Sequence, residues 1–374
     1  MAGPVEYHSG KFPPNNLDWP QLIPLLGPAS AALARYDGLL SAIPNAAVLL
    51  SPLTTQEAVL SSRIEGTQAT MGEVLQYEAA GRTDDLDPRR EEDIEEVLNY
   101  RRAMRQATDL LGTLPLCNRL IKTVHETLLA GVRGHDRARG KFRTIQNHIG
   151  RDRKIENARF VPIAPENLET GMAGWERFLH EDAPDRLVQL AIVHAEFESL
   201  HPFLDGNGRI GRMLIPLFLF SRKLLQAPMF YLSEYLESNR QDYYDWLLAV
   251  SRDDDWTGWC CFFLKALTHQ AGQNEGKARH ILELYQRRKE WIVEKTHSQH
   301  AIRALDFLFN TPIFNASHFI EESRIPAPSA RRILSILSEP ANELLKTIRE
   351  SRGRRPAVYA FSELLTVTEG RIVF

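Results

Sequence analysis

Residues 201–212 read HPFLDGNGRIGR, and they interrupt a chain that is otherwise helical in pattern on both sides. Asp185–Leu200 carries apolar residues at helical spacing, and Arg209–Leu225 resumes the pattern. Pro202 disfavours helical geometry at His201, so the first helix ends there with the imidazole held at its terminus. Gly206, Asn207 and Gly208 accept unusual backbone angles and can bring main-chain amides close to a ligand. A second helix starts near Gly208–Arg209, and Phe203 is an apolar anchor within the connection. The segment therefore dictates two central helices joined by a short, sharply turned polar loop, and an all-α centre to the fold.

The side chains of that loop suit chemistry as well as a turn. Main-chain N–H groups at a helix N-terminus cradle anions. Asp205 beside them is a hard oxygen ligand of the kind magnesium takes. Arg209 and Arg212 are three apart and project over the same side of the first turn. An imidazole, a carboxylate, an amide nest and two guanidiniums together read as a polyphosphate site.

At 374 residues the chain is too long for one ordinary domain. Its 43% hydrophobic share supports a real core and excludes wholesale disorder. Forty-five Lys+Arg against 48 Asp+Glu give a net charge of −3, which argues against a surface built to coat nucleic acid. Cys117, Cys260 and Cys261 make no disulfide framework, no secretory signal is visible, and no apolar run is long enough to span a bilayer. A cytoplasmic location without membrane contact is the expectation.

The first twenty residues read as an extended arm. Helical signals dominate from about Leu22 to Tyr100, including Thr55–Glu65, with Gly66 as its C-cap, and Glu91–Leu111. Leu114–Ala130 is a further helix. A Gly- and Arg-rich loop follows, with a short hairpin over Phe142–Ile149 and Arg159–Ile163. Helices are expected over Glu166–His180, Asn239–Val250 and Thr257–His269, and Arg279–Lys295 reads as a charged helical connector. Beyond it lie a helix at Ala301–Asn310, a helix–turn–helix over 315–339, and strands at Leu344–Ile348 and Ala357–Phe361, which is the winged-helix order. The expected division is an N-terminal helical region (1–110), a catalytic core (111–270), a connector (271–300) and a winged-helix domain (301–374).

The loop resembles the Fic family signature HPFx[DE]GNGRxxR at every fixed position. HAEFESL ahead of it resembles the Fic helix leading into the loop. Gly140–Arg143, Gln146–Ile149 and Phe160–Pro162 resemble the start and end of the Fic flap. The resemblance implies a mainly α Fic-type core with a small hairpin flap, and transfer of AMP from ATP to a Ser, Thr or Tyr hydroxyl of a target protein or of the chain itself. On that footing His201 is the general base, and Asp205 holds Mg²⁺. Gly206, Asn207 and Gly208 hold the α-phosphate, Asn207 through its side chain as well. Arg209 and Arg212 meet the β- and γ-phosphates, with Ile210 and Gly211 completing the nucleotide-binding run. Target backbone would pair with the flap.

Ser61–Gly66, SSRIEG, resembles the family's inhibitory motif [ST]xxxE[GN]. Ser61 and Glu65 share one helix face, and the resemblance implies that Glu65 pairs with Arg212 and denies it to the nucleotide. The same glutamate could orient a water for removal of AMP. Tyr243 and Tyr244 look like the paired aromatics that contact the base, with core packing as the alternative. Ser251 stands where the family often has Asn.

Plainer readings stand beside these. His194, Glu198 and His201 could align as zinc ligands, but Pro202 breaks the helix and no fourth ligand is evident, so a packed His194 is favoured. The basic turn Arg349, Arg352, Arg354 and Arg355 suits DNA phosphates, but protein docking or a homodimer is favoured for that domain. A Fic-type phosphotransferase and a nucleotide-sensing DNA-binding regulator are the alternative functions.

Overall fold

The computed structural model describes residues 3–80, 87–132, 138–150, 154–351 and 356–373. Strand β1 (Val5–Glu6) is followed by helices α1 (Trp19–Ala42), α2 (Ala46–Leu49), α3 (Ser51–Ile64), α4 (Met71–Ala80), α5 (Pro88–Leu110) and α6 (Asn118–Leu128). Next come β2 (Phe160–Val161), α7 (Pro165–His180), α8 (Arg186–Leu200), α9 (Asn207–Ser221), α10 (Ser233–Ser238) and α11 (Arg240–Asp253). The chain continues through α12 (Trp256–Thr296), α13 (Ala301–Asn310), β3 (Ile313–Asn315), α14 (Ala316–Glu322) and α15 (Ala327–Leu337). It ends with β4 (Lys346–Arg349), β5 (Val358–Ala360) and α16 (Ser362–Glu369). The architecture is mainly α.

The chain divides into two compact units. The first comprises residues 1–37, 60–66 and 99–272, and α8 is its axis. From Leu187 to Leu200 every α8 residue is buried, polar ones included, which is the mark of a helix enclosed on all sides. Asp185 starts it, accepting the N–H groups of Leu187 and Val188 at 2.8 and 3.0 Å. Trp175 of α7 and Trp259 of α12 donate their indole N–H groups to the carbonyls of Val193 and Ala191. Helix α9 packs on α8 and is buried from Asn207 to Leu219.

The second unit comprises residues 38–59, 67–98 and 273–374. Its antiparallel sheet has the order β3–β5–β4, with Ile313 opposite Ala360 and Lys346 opposite Ala360 on the other side. Helix α4 packs on β3, and α13 on α2. Phe307, Phe314 and Phe319 form the aromatic centre, with rings 5.1–5.7 Å apart.

Two expectations change. The flap hairpin reduces, among the described residues, to one antiparallel bridge between Ile149 and Phe160. The longer pairing of Phe160–Val161 is parallel, to Val5–Glu6 of the N-terminal arm. A pairing between segments so distant in sequence leaves no local signal. The expected connector is no separate element either: α12 runs unbroken for 41 residues because nothing between His269 and Arg279 stops a helix. Arg352, Arg354 and Arg355 of the basic turn lie outside the described residues.

Candidate functional site

The site is built where α8 stops. His201 takes φ 47° and ψ 59°, the left-handed region, and its N–H closes on Phe197 O at 3.0 Å. Pro202 enforces that break. The loop is then pinned by Asn207, whose Oδ1 accepts the Phe203 N–H and whose Nδ2 donates to Phe203 O, both at 2.8 Å. Gly206, at φ 77°, caps α9, and its N–H donates to Asp205 Oδ1 at 2.6 Å. Phe203 is fully buried, as an anchor should be.

Two residues outside the loop hold it in place. His125 of α6 stacks flat on Phe203, with ring centroids 3.7 Å apart. Gly140 N–H donates to its Nδ1 at 2.9 Å, so Nε2 carries the proton and donates to Asp205 O at 2.9 Å. Burial holds this imidazole neutral, with its pKa lowered to about 4. Arg143 is also buried, and it serves the end of α8. Its guanidinium donates to the carbonyls of His201 (3.0 Å), Leu200 (3.3 Å), Ile145 (3.3 Å) and Ile163. Orphan carbonyls at a helix C-terminus need such donors.

Arg212 faces α3. Its Nε donates to Ser61 Oγ at 2.9 Å, and its Nη2 to Ser61 O at 2.9 Å and Glu65 Oε1 at 2.7 Å. Burial alone would raise the Glu65 pKa, but the Arg212 guanidinium, with Arg209 and His201 adding, holds the carboxyl below its usual range. The carboxylate lies against the first turn of α9: a Cβ at Gly208 would come within 2.1 Å of Glu65 Oε1. Gly211 makes similar room for Glu198, whose Oε1 is buried without a hydrogen-bond partner. Burial pushes the Glu198 carboxyl up to about 7, with Arg212 opposing and Glu65 adding.

These groups face a cleft of about 910 Å³. Glu65, Glu198, His201, Gly208 and Arg212 line one part of it, Ile149 and Phe160 another, and Arg240, Tyr243 and Tyr244 a third. His201 Nδ1 meets Glu198 O at 3.3 Å, and a carbonyl only accepts. Nδ1 therefore bears the proton and Nε2 is left as an acceptor. Burial lowers the His201 pKa to about 4, so the ring is neutral at ordinary pH. A neutral acceptor imidazole and a helix N-terminus flanked by a guanidinium are a proton acceptor and an anion seat in one cleft.

A model of the Fic/DOC family matches residues 115–219, and one of the Fic/DOC family N-terminal region matches residues 23–109. The chain belongs to the Fic/DOC family. A probable protein adenylyltransferase of Aquifex aeolicus is 28% identical over 201 residues, covering 51% of this chain and 56% of that protein. The protein adenylyltransferase fic-1 of Caenorhabditis briggsae is 35% identical over 83 residues, 21% of this chain and 15% of that protein. The chain thus spans about half or less of the length of these relatives. A crystal structure of a Fic family protein from Desulfovibrio desulfuricans G20 has the same fold, with a TM-score of 0.58 at 19% identity, covering 93% of this chain and 98% of that one.

Within this Fic site, several residues named from the sequence sit differently from the expectation. The Asn207 side chain is engaged by the Phe203 backbone through Oδ1 and one Nδ2 N–H, so it positions the loop. Ile210 is 2% exposed because helical phase turns it away from the face shared by Gly208 and Arg212. Gly211 serves packing, with its carbonyl bonded to His194 and its open side against Glu198. Arg209 and Arg212 diverge: Arg209 lies 3.5 Å from Asp205, whereas Arg212 turns to Glu65. Tyr243 is 1% exposed and its hydroxyl meets His194 at 2.9 Å, so Tyr244 is the more open of the pair. His194 is the packed core histidine, and no cluster of three potential metal ligands occurs among the described residues. No described helix is long and apolar enough to cross a membrane. His125 was not singled out from sequence. Its only signal is a histidine on the buried face of an amphipathic helix, which fits any core.

Proposed function

We propose that this chain is a protein adenylyltransferase that moves AMP from ATP to Ser, Thr or Tyr hydroxyls of target proteins and of itself, and that Glu65 restrains it. The observation that carries the reading is the Glu65 carboxylate seated on Arg212 and against Gly208, in the same cleft as an imidazole with a free acceptor nitrogen. A carboxylate lodged at a helix N-terminus marks the place an anion prefers.

His201 Nε2 takes the proton of the attacking hydroxyl, while Nδ1 stays committed to Glu198 O and fixes the ring. Main-chain N–H groups of Asn207 and Gly208, at the start of α9, receive the α-phosphate as charge builds on it. Arg209 and Arg212 take the outer phosphates. Arg212 can do so only after Glu65 leaves, which makes the pair a switch. Arg212 is anchored in the interior, its side chain 1% exposed, while the Glu65 side chain is 36% exposed and so has room to leave. Asp205 fits a magnesium ligand: its side chain is 44% exposed, and the contacts from Gly206 N–H and Arg209 Nη2 both fall on Oδ1. Magnesium there would neutralise phosphate charge. Tyr244, with Arg240 over its ring, offers the base a flat contact. A target segment pairs its backbone with the flap, and residues 301–374 act as a winged-helix unit.

Intact-mass measurement after incubation with ATP and magnesium tests this. Glu65→Gly should gain AMP adducts far faster than the unaltered chain, and Glu65→Gly/His201→Ala should gain none. An inert Glu65→Gly chain, or equal labelling with and without Glu65, contradicts it.

A further inference from the structure

Strand β2 has two edges, and the chain fills both of them itself. Val5 N–H donates to Arg159 O at 3.3 Å and Tyr7 N–H to Val161 O at 3.0 Å, with Val5 beside Phe160 and Glu6 beside Val161. On the opposite edge Phe160 N–H donates to Ile149 O at 3.1 Å, and Ile149 N–H to Phe160 O at 2.9 Å. The middle position in this small sheet therefore belongs to β2, and the outer one to the N-terminal arm.

The arm is latched beneath that pairing. Tyr7 donates its hydroxyl to Glu196 Oε1 at 2.7 Å, and His8 Nε2 lies 2.8 Å from Glu196 Oε2. The other ring nitrogen of His8 meets Ser251 Oγ at 2.7 Å. His8 and Glu196 side chains are both fully buried. Glu196 stands on α8, five residues before His201, and Ser251 on α11, whose Tyr244 and Leu248 line the cleft. Both oxygens of a buried carboxylate are thus satisfied by the arm, and such a network is rigid when complete and costly when broken. The Ser251 that replaces the family's usual Asn has a partner in His8.

We propose that residues 5–8 are a positioning element for the acceptor. They clamp the flap strand to α8 and α11, fix Ile149 and Phe160 over His201, and leave only the Ile149 side open to an incoming strand. This rests on the transferase reading above. The phosphate seat belongs to α9 and is not touched by the arm, so acceptor presentation and nucleotide binding should separate. Misplacing a reacting group by about 1 Å costs on the order of a hundredfold in rate.

The test uses the full chain carrying Glu65→Gly, with His8→Ala or Tyr7→Phe added. Three quantities are read: ATP affinity by calorimetry, amide exchange at Arg159–Val161, and transfer of label from ATP labelled at the α-phosphate. His8→Ala should speed exchange at those amides and cut transfer at least about tenfold. Tyr7→Phe should do both to a lesser degree, and it carries the test alone if His8→Ala does not fold. ATP affinity should stay within about twofold. Unchanged exchange, undiminished transfer, or ATP affinity falling in step with transfer overturns the proposal. A Glu65→Gly parent that takes up no label instead overturns the transferase reading, and the clamp's role in acceptor presentation falls with it.

Discussion

His201 can accept a proton only while Nε2 is bare, and its surroundings keep it so. Burial lowers its pKa to about 4, while Glu198 O and the charges of Glu65 and Asp205 pull the other way. Removing Glu65 takes away one of the raising influences, so loss of its charge does not move the acid limb upward in Glu65→Gly. For that variant kcat/KM should hold level as pH falls from about 7 to about 5 and drop only near about 4. A limb near the ordinary histidine value would show that the ring is not shielded as described. Ser61 gives a graded version of the proposed switch. Ser61→Ala removes the Nε partner of Arg212 but leaves Ser61 O and Glu65 in place. A loss of about 1 kcal/mol of restraint corresponds to basal labelling about fivefold higher, well short of Glu65→Gly. The position of His201 at a helix end was legible in the sequence because Pro202 follows it, and the Glu65–Arg212 contact because the resemblance to the inhibitory motif implied it; the divergence of Arg209 from Arg212 was not. The bonds from Asn207 to the Phe203 backbone were not legible, because a side chain that binds a loop and one that binds a ligand look identical in sequence.

At the scale of elements, the α8–loop–α9 unit is held from outside by Arg143. Its four carbonyl partners come from the flap base and the end of α8. Burial lowers its own pKa to about 10, a sign of how far from water it sits. Arg143→Ala should lower unfolding free energy by about 3 kcal/mol in urea titrations. Arg143→Lys should recover little of that, since one ammonium cannot span the same carbonyls. Unchanged stability in Arg143→Ala would mean those carbonyls find other donors. Helix positions were readable from apolar spacing and breakers, to within a few residues for α7, α8, α11 and α13. The β1–β2 pairing was not, because each strand is two residues long and 153 residues of chain lie between them.

For the whole molecule, acid should be destabilising in a defined window. His125 and His194 are buried neutral, with pKa values lowered to about 4 and about 3 by burial. Below the ordinary value of 6.5 the unfolded chain binds those protons and the folded chain does not, so stability falls as pH falls. Glu198, raised to about 7, acts oppositely above 4.5 and cancels one of the two. Partly exposed His201 adds in the direction of the histidines. The net loss should be about 1.4 kcal/mol or somewhat more per pH unit between pH 6.5 and 4.5, read as a declining urea midpoint. A midpoint that is flat or rises over that range would contradict the burial of these rings.

Which phosphorus the acceptor hydroxyl attacks decides the proposed function, and one pair of incubations addresses it. Glu65→Gly chain is given magnesium and ATP labelled at the α-phosphate in one tube and at the γ-phosphate in the other, and protein-bound label is counted. The site described here predicts label from the α-position alone, lost on adding His201→Ala. Label from the γ-position, or none from either, contradicts it.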